Sequence, residues 1–369
     1  MVWKIILILV LLLSVRFIPL AVGDRYMGGG ALNYKLAPEL FSWANFDGEH
    51  YLSISIFGYK FLEQAFFPAY PLLISIFAKP FSRDLLSSLI NSTLAGLIIS
   101  NASFLLALLL LFNLLRIDYS KKIAYLTLTI ILIFPTSFYF GAVYSESLFL
   151  LFSILSFLSA RKGRWFWAAF FGFLSCATRI FGLLILPALL IEAYQQRAHL
   201  LKVAWIFLIP LGLGFYMLYQ YLTVGDALAF YHLQKLVGEQ HQSGLTLLPQ
   251  VYYRYVKMVL TVDKFNPIYQ TVLLEFFVGI TFFLLPLYGY FKKVRPSYIF
   301  YALISFLLPT IQGSFSSVPR YVIVFFPSFI ALALFINNLP KFFRIISLFG
   351  FFIGLILEAA LFFRVYWVA

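Results

Sequence analysis

Long apolar runs separated by short basic breaks make up most of this chain. A membrane-crossing helix needs about 20 apolar residues. Candidate spans fall at 3–20, 88–113, 122–141, 143–160, 165–192, 200–222, 270–291, 298–311, 318–338 and 342–365. The pattern predicts an all-α, polytopic transmembrane helical bundle: a single membrane domain, 1–369, with ten or eleven crossings. The first run lacks a small-residue cleavage site and is followed by more spans, so it reads as a retained helix. Two stretches break the pattern, 21–87 and 223–269, and read as long loops.

The stretch 165–192 would form one helix about 42 Å long, too long for a hydrocarbon core of about 30 Å. Thr178-Arg179 lies near its middle and Gly182 follows. It therefore reads as two short helices, 165–177 and 181–192, that turn back at Arg179. Charge supports this. With a cytoplasmic N-terminus and a reversal at Arg179, Arg116, Lys121, Lys122, Arg161, Lys162, Arg164, Arg197, Lys202, Lys292, Lys293, Arg295, Lys341 and Arg344 all fall in cytoplasmic loops, as the positive-inside rule requires. The loops 21–87 and 223–269, the turn 141–146 and the loop 312–320 then lie outside. An arginine at membrane depth is costly unless it faces a cavity or a partner.

Composition agrees. The 369 residues are 63% hydrophobic and 11% charged, against about 45–50% and about 25% in soluble domains. The net charge of +13 resides in the loops, so nucleic acid is excluded as a partner and the lipid bilayer takes its place. One cysteine, Cys176, allows neither a disulfide framework nor a cysteine metal site.

Four polar elements interrupt the apolar background. The first, Phe46-Asp47-Gly48-Glu49-His50-Tyr51-Leu52 in the first external loop, packs two acids and an imidazole among aromatics that suit a short interfacial helix. Asp47 and His50 share a face at helical spacing. Such a cluster suits a general base, a divalent ion or a merely solvated acidic loop. The second, Ala65-Phe66-Phe67-Pro68-Ala69-Tyr70-Pro71-Leu72, has two prolines that disfavour a helix start before Pro71. The third, Tyr144-Ser145-Glu146-Ser147, places a carboxylate where a helix re-enters the membrane, which is either a cap or a site. The fourth, Val318-Pro319-Arg320-Tyr321, presents an arginine at the end of a span. It either snorkels to the interface or binds phosphate through its planar fork.

In this order the elements resemble the GPI mannosyltransferase 2 (PIG-V) family and its prokaryotic relatives, within the GT-C membrane glycosyltransferases. The resemblance runs over about residues 40–330 and rests on Phe46–Leu52 with Gly58-Tyr59, Ala65–Leu72, Tyr144–Phe149, Ala177-Thr178-Arg179-Ile180-Phe181-Gly182 and Arg320-Tyr321. Phe46 departs from the family's tryptophan but keeps an aromatic ring. The resemblance implies a GT-C-type bundle and a polyprenyl-phosphate sugar donor, typically of mannose. It also implies inverting transfer to a glycolipid, glycan or protein acceptor on the non-cytoplasmic face, with Asp47 as the base. On that reading Glu49, His50 and Glu146 bind acceptor or sugar. Arg179, Arg320 and Tyr321 hold the donor phosphate, and no metal or other cofactor is called for. The short chain and compact second loop read as a prokaryotic plasma-membrane protein; a eukaryotic one would sit in the ER membrane. The alternatives are a polytopic transporter or flippase, which would spread charge through its spans and show an inverted repeat, and a non-catalytic subunit of a glycan-assembly complex.

Overall fold

The computed structural model describes residues 2–21, 36–233, 246–266 and 268–368. The parts of the two long loops at 22–35 and 234–245 lie outside the described residues. Among the described residues the chain is helical and has no strand. Helix α1 (Val2–Phe17) is followed by two short helices, α2 (Asp47–Phe57) and α3 (Ala69–Ala78), and then by the long α4 (Leu85–Asp118). After α5 (Lys121–Ile133) come α6 (Glu146–Arg161), α7 (Trp165–Thr178), α8 (Ile185–Gln195) and α9 (Leu211–Val224). The remainder is α10 (Leu248–Thr261), α11 (Ile268–Phe291), α12 (Pro296–Thr310), α13 (Phe326–Asn338) and α14 (Lys341–Phe363).

Among the described residues, four helices are long and apolar enough to cross a membrane alone: α4, the stretch Leu200–Val224 ending in α9, α11 and α14. A bent pair at Val318–Asn338 would make a fifth. Helix length alone thus gives fewer crossings than the ten or eleven expected. The contacts supply the rest of the layout, because they fall at two opposite ends of the bundle. At one end Glu146, the first residue of α6, meets Arg179 at 2.5 Å. At the other, Arg161, the last residue of α6, pairs with Asp118 at the end of α4 and lies 3.4 Å from Glu192 of α8. The 16-residue α6 between these layers is about 24 Å long.

The reversal at Arg179 is present. Helix α7 runs from the Arg161 end to the Arg179 end, and α8 returns to Glu192. Arg179 itself is extended (φ −155°, ψ 150°), and a tight turn over Ile180–Leu184 follows. Gly182 makes the turn possible. A Cβ there would lie 2.3 Å from the Cys176 backbone nitrogen, so only glycine lets the turn fold onto the end of α7.

Other boundaries differ from expectation, mostly at prolines. The span expected at 318–338 is bent by 90° between Val324 and Phe326. Pro327 in the first turn of α13 cannot donate to a preceding turn, and its ring would clash with the carbonyl four residues back. The span expected at 122–141 ends at Ile133, because Pro135 forces Phe134 into extended backbone (ψ 140°). Helix α3 starts at Ala69 rather than at Pro71. Pro71 then sits in the first turn, where its missing N–H costs nothing. The segment 223–269, expected as a loop, contains α10, which docks on α11 through Tyr252 O–H donating to the Gly279 carbonyl at 3.0 Å.

The end away from Arg179 is stapled by charge. Glu192 is fully buried and accepts from Arg295 Nε and Nη2 at 2.7 Å each, from Ser297 at 2.6 Å and from Gln196 at 2.6 Å. One carboxylate thus ties α8 to the start of α12, with Arg161 of α6 alongside. Replacing Glu192 with Gln should lower the melting temperature in detergent, with a loss of about 2 kcal/mol for the weakened bonds to a charged group. A melting curve superimposable on wild type would show that this cluster does not hold the helices.

Candidate active site

The Arg179 end gathers side chains from segments far apart in sequence. Asp47 is the first residue of α2, where the helix dipole favours a carboxylate. It follows Phe46, a non-glycine residue at φ +56°, a strained backbone of the kind that collects at functional sites. Asp47 Oδ2 lies 2.7 Å from Arg320 Nη1. Arg320 Nε lies 3.8 Å from Glu146 Oε1, and the same oxygen lies 2.5 Å from Arg179 Nη1. The result is a chain of alternating sign: Asp47, Arg320, Glu146, Arg179.

Burial is deepest at Glu146 and least at Asp47. The Glu146 side chain is 1% exposed and that of Arg320 7%, whereas that of Asp47 is 32% exposed. Charges this deep persist only when each is compensated, and the alternation supplies that. The Glu146 contacts are ion pairs without hydrogen-bond alignment, and its Oε2 has no hydrogen-bond partner among the described residues.

Aromatic faces line the two arginines. Arg320 lies over Tyr139, Tyr144 and Tyr321 at 5.7, 5.7 and 5.1 Å from the ring centres. Arg179 lies over Phe181 and Tyr321 at 5.8 and 5.4 Å. Tyr321 therefore sits against both guanidinium groups, and its hydroxyl accepts from Arg320 Nη2 at 3.3 Å. Quadrupolar ring faces stabilise cations in low dielectric. Tyr51 of α2 shares a 2.8 Å hydrogen bond with Ser145, and Arg179 Nη1 donates to the same hydroxyl at 3.4 Å.

His50 faces the neighbouring segment rather than Asp47's partner. Its ring stacks on Phe66 at 4.7 Å and its Nδ1 lies 3.9 Å from Glu63, a buried carboxylate that also accepts from the Lys60 backbone N–H at 2.8 Å. Burial pulls the imidazole pKa down, but the Glu63 bond and the charges of Asp47, Glu63 and Glu49 outweigh it, and the net shift is up. Burial pushes the Glu63 carboxyl up, but its bonds to His50, Ser53 and Lys60 prevail and it titrates below its ordinary value. A raised histidine stabilises fully below its unfolded pKa of 6.5 and loses that contribution as pH rises through the folded value. A lowered glutamate contributes above 4.5 and is lost as pH falls through its own folded value. The latch between α2 and the 63–67 segment should thus be strongest between pH 4.5 and 6.5. Glu63→Gln should flatten the decline of melting temperature above that window; an unchanged pH profile would count against the pairing.

Every site residue expected from sequence except Glu49 and His50 belongs to this alternating cluster or touches it. Glu49 stands one residue before His50 on α2 and adds its charge to the His50 environment. Sequence reasoning missed Glu63, Ser145, Tyr51, Tyr139 and Tyr144. Tyr51, Tyr144 and Ser145 stood inside motifs already singled out, so the motifs themselves were the available signal. A groove of about 490 Å³ on the outer surface runs between α3 and α4, lined by Leu73, Phe77, Leu94, Ile98 and Ala102 and reaching Leu148 in the first turn of α6.

A family model described as mannosyltransferase (PIG-V) matches residues 6–210, more than half of the chain. No curated protein matches the sequence. Among solved structures, ArnT from Cupriavidus metallidurans in the apo state is similar over 95% of this chain and 61% of its own, with 15% identity and a TM-score of 0.50. The Archaeoglobus fulgidus oligosaccharyltransferase tethered to an acceptor peptide is similar over 98% of this chain and 55% of its own, with 14% identity and a TM-score of 0.44. The chain therefore spans less than two thirds of the length of these solved relatives.

Proposed function

Since this chain belongs to the PIG-V mannosyltransferase family and is an integral membrane protein with the all-α fold of the GT-C glycosyltransferases, we propose that it moves a hexose, mannose, from a polyprenyl-phosphate donor to an acceptor hydroxyl with inversion. The observation that carries this reading is the alternating cluster of Asp47, Arg320, Glu146 and Arg179. Asp47, the most exposed member, takes the acceptor proton as the acceptor oxygen bonds to the anomeric carbon from the face opposite the phosphate. The bond from that carbon to the phosphate oxygen breaks, and the lipid phosphate leaves with the electron pair. Arg320 and Arg179 stabilise the charge that develops there, with Tyr321 fixing both guanidinium planes.

Glu146 holds the two arginines together and oriented, and its unpartnered Oε2 is the oxygen placed to take a sugar hydroxyl. Glu49 and His50 bind the acceptor, a glycolipid, glycan or protein. Two cationic side chains meet the phosphate's charge, so the chemistry calls for no metal. The groove beside Leu148 suits the isoprenoid tail. The basic residues Arg161, Lys162, Arg164, Lys292, Lys293, Arg295 and Lys341 lie at or beyond the helix ends away from Arg179. The positive-inside rule then supports a site on the non-cytoplasmic face; we take the membrane to be a prokaryotic plasma membrane.

The test is purified protein with radiolabelled polyprenyl-phosphate mannose and membrane extract. Label should leave the donor and appear in a new glycoconjugate. Donor that stays intact, or that crosses a vesicle membrane unreacted, would replace this reading with a transporter or an assembly subunit.

A further inference from the structure

Glu275 is a carboxylate within membrane helix α11 that the proposed chemistry does not use. It is 4% exposed, and a buried ionisable group in a membrane helix demands a partner and usually a task. Its two oxygens make separate bonds. Oε2 accepts from the Tyr255 hydroxyl of α10 at 2.7 Å, and Oε1 accepts from the Ser317 backbone N–H at 3.3 Å. The Tyr255 hydroxyl also bonds Ser314 at 3.2 Å. Two helices, α10 and α11, therefore meet on the short loop that leads into Val318–Tyr321.

That loop is under backbone strain where it is held. Ser317 sits at φ +61°, ψ 1°, a left-handed conformation that serine adopts at a cost. Its carbonyl then accepts the first bonds of the next turn, from the Arg320 and Tyr321 N–H groups at 3.1 and 3.0 Å. From the other side Thr136 donates to the Pro319 carbonyl at 2.6 Å. The direction in which Arg320 leaves the backbone is therefore set by the Ser317 turn. Phe315, fully buried between Gly279 and Tyr252, anchors the loop just upstream.

We infer that Glu275 is a positioning residue: through its bond to the Ser317 N–H it locks the left-handed turn that aims the Arg320 guanidinium at Asp47 and at the donor phosphate. This rests on Arg320 being the phosphate ligand proposed above. Glycine adopts left-handed backbone without strain, which separates this role from general packing. Glu275→Ala should raise the KM for polyprenyl-phosphate mannose roughly ten-fold, the effect of losing one buried hydrogen bond, with a smaller change in kcat. Adding Ser317→Gly should restore both KM and melting temperature, because glycine holds the turn without the clamp. A KM unchanged in Glu275→Ala, or a double variant no better than the single one, overturns the inference. Should Glu275→Ala fail to accumulate, Tyr255→Phe removes the hydroxyl alone, and Ser317→Gly must reverse its KM shift in the same way. If wild-type protein uses no such donor, the functional reading falls, while the restoration of melting temperature by Ser317→Gly still decides whether the clamp exists.

Discussion

Asp47→Asn should lower sugar transfer by about 10²–10⁴-fold at saturating donor, the range expected when a general base is lost. The substitution is nearly isosteric. Its amide oxygen can still accept from Arg320 Nη1, which lies 2.7 Å from the present carboxylate, so the guanidinium keeps a partner and the protein should accumulate normally. What is lost is the ability to take a proton. Asp47 is the member of the cluster with a substantially exposed side chain, whereas Glu146 is enclosed and already committed to two arginines. Donor KM should therefore change little while kcat collapses, the signature of an interaction used in the transition state. Near-normal kcat in a folded Asp47→Asn protein would move the base elsewhere on α2, to Glu49 or His50.

Glu146→Gln should have the second large effect, and on a different quantity. Removing this charge leaves Arg179 and Arg320 buried side by side with Asp47 as the remaining counter-charge. Breaking a buried ion pair by neutralising one partner typically costs about 3–5 kcal/mol. The variant should melt at lower temperature, and its donor KM should rise as the arginines move apart. Asp47→Asn, by contrast, should leave the melting temperature close to wild type. Equal melting of wild type and Glu146→Gln would mean that the arginines find other partners and that Glu146 does not organise the site.

The reversal at Arg179 was legible because length and chemistry conflicted at one place. A helix long enough to hold 165–192 outruns the bilayer, and Gly182 follows at the distance a tight turn needs. The 90° bend before α13 was not legible in the same way. Pro327 reads equally well as the first turn of a new helix or as a tolerated break in a long one, and hydropathy stays high across both. Asp47, Glu146, Arg179 and Arg320 stood out as charged residues on an apolar background. Their grouping followed from the resemblance, since nothing local in sequence links α2 to Arg320.

Glu63 and Glu275 escaped notice for the opposite reason. Glu63 lies among loop residues and Glu275 within the apolar run 270–291, and neither shows its partner until the fold brings His50 to one and Ser317 to the other. Tyr139, which also faces Arg320, could not be told from the aromatic belts that membrane proteins carry at their interfaces. The strained backbone at Phe46 and Ser317 leaves no trace in residue type, because neither is glycine or asparagine.

The proposed reaction is a single displacement in which Asp47 activates the acceptor and the arginines hold the departing phosphate. The anomeric configuration of the transferred sugar tests it most directly, read by NMR coupling constants on product made from a donor of known configuration. Inversion is the predicted result. Retention would require a nucleophile on the protein and a second displacement, and would rule this reaction out.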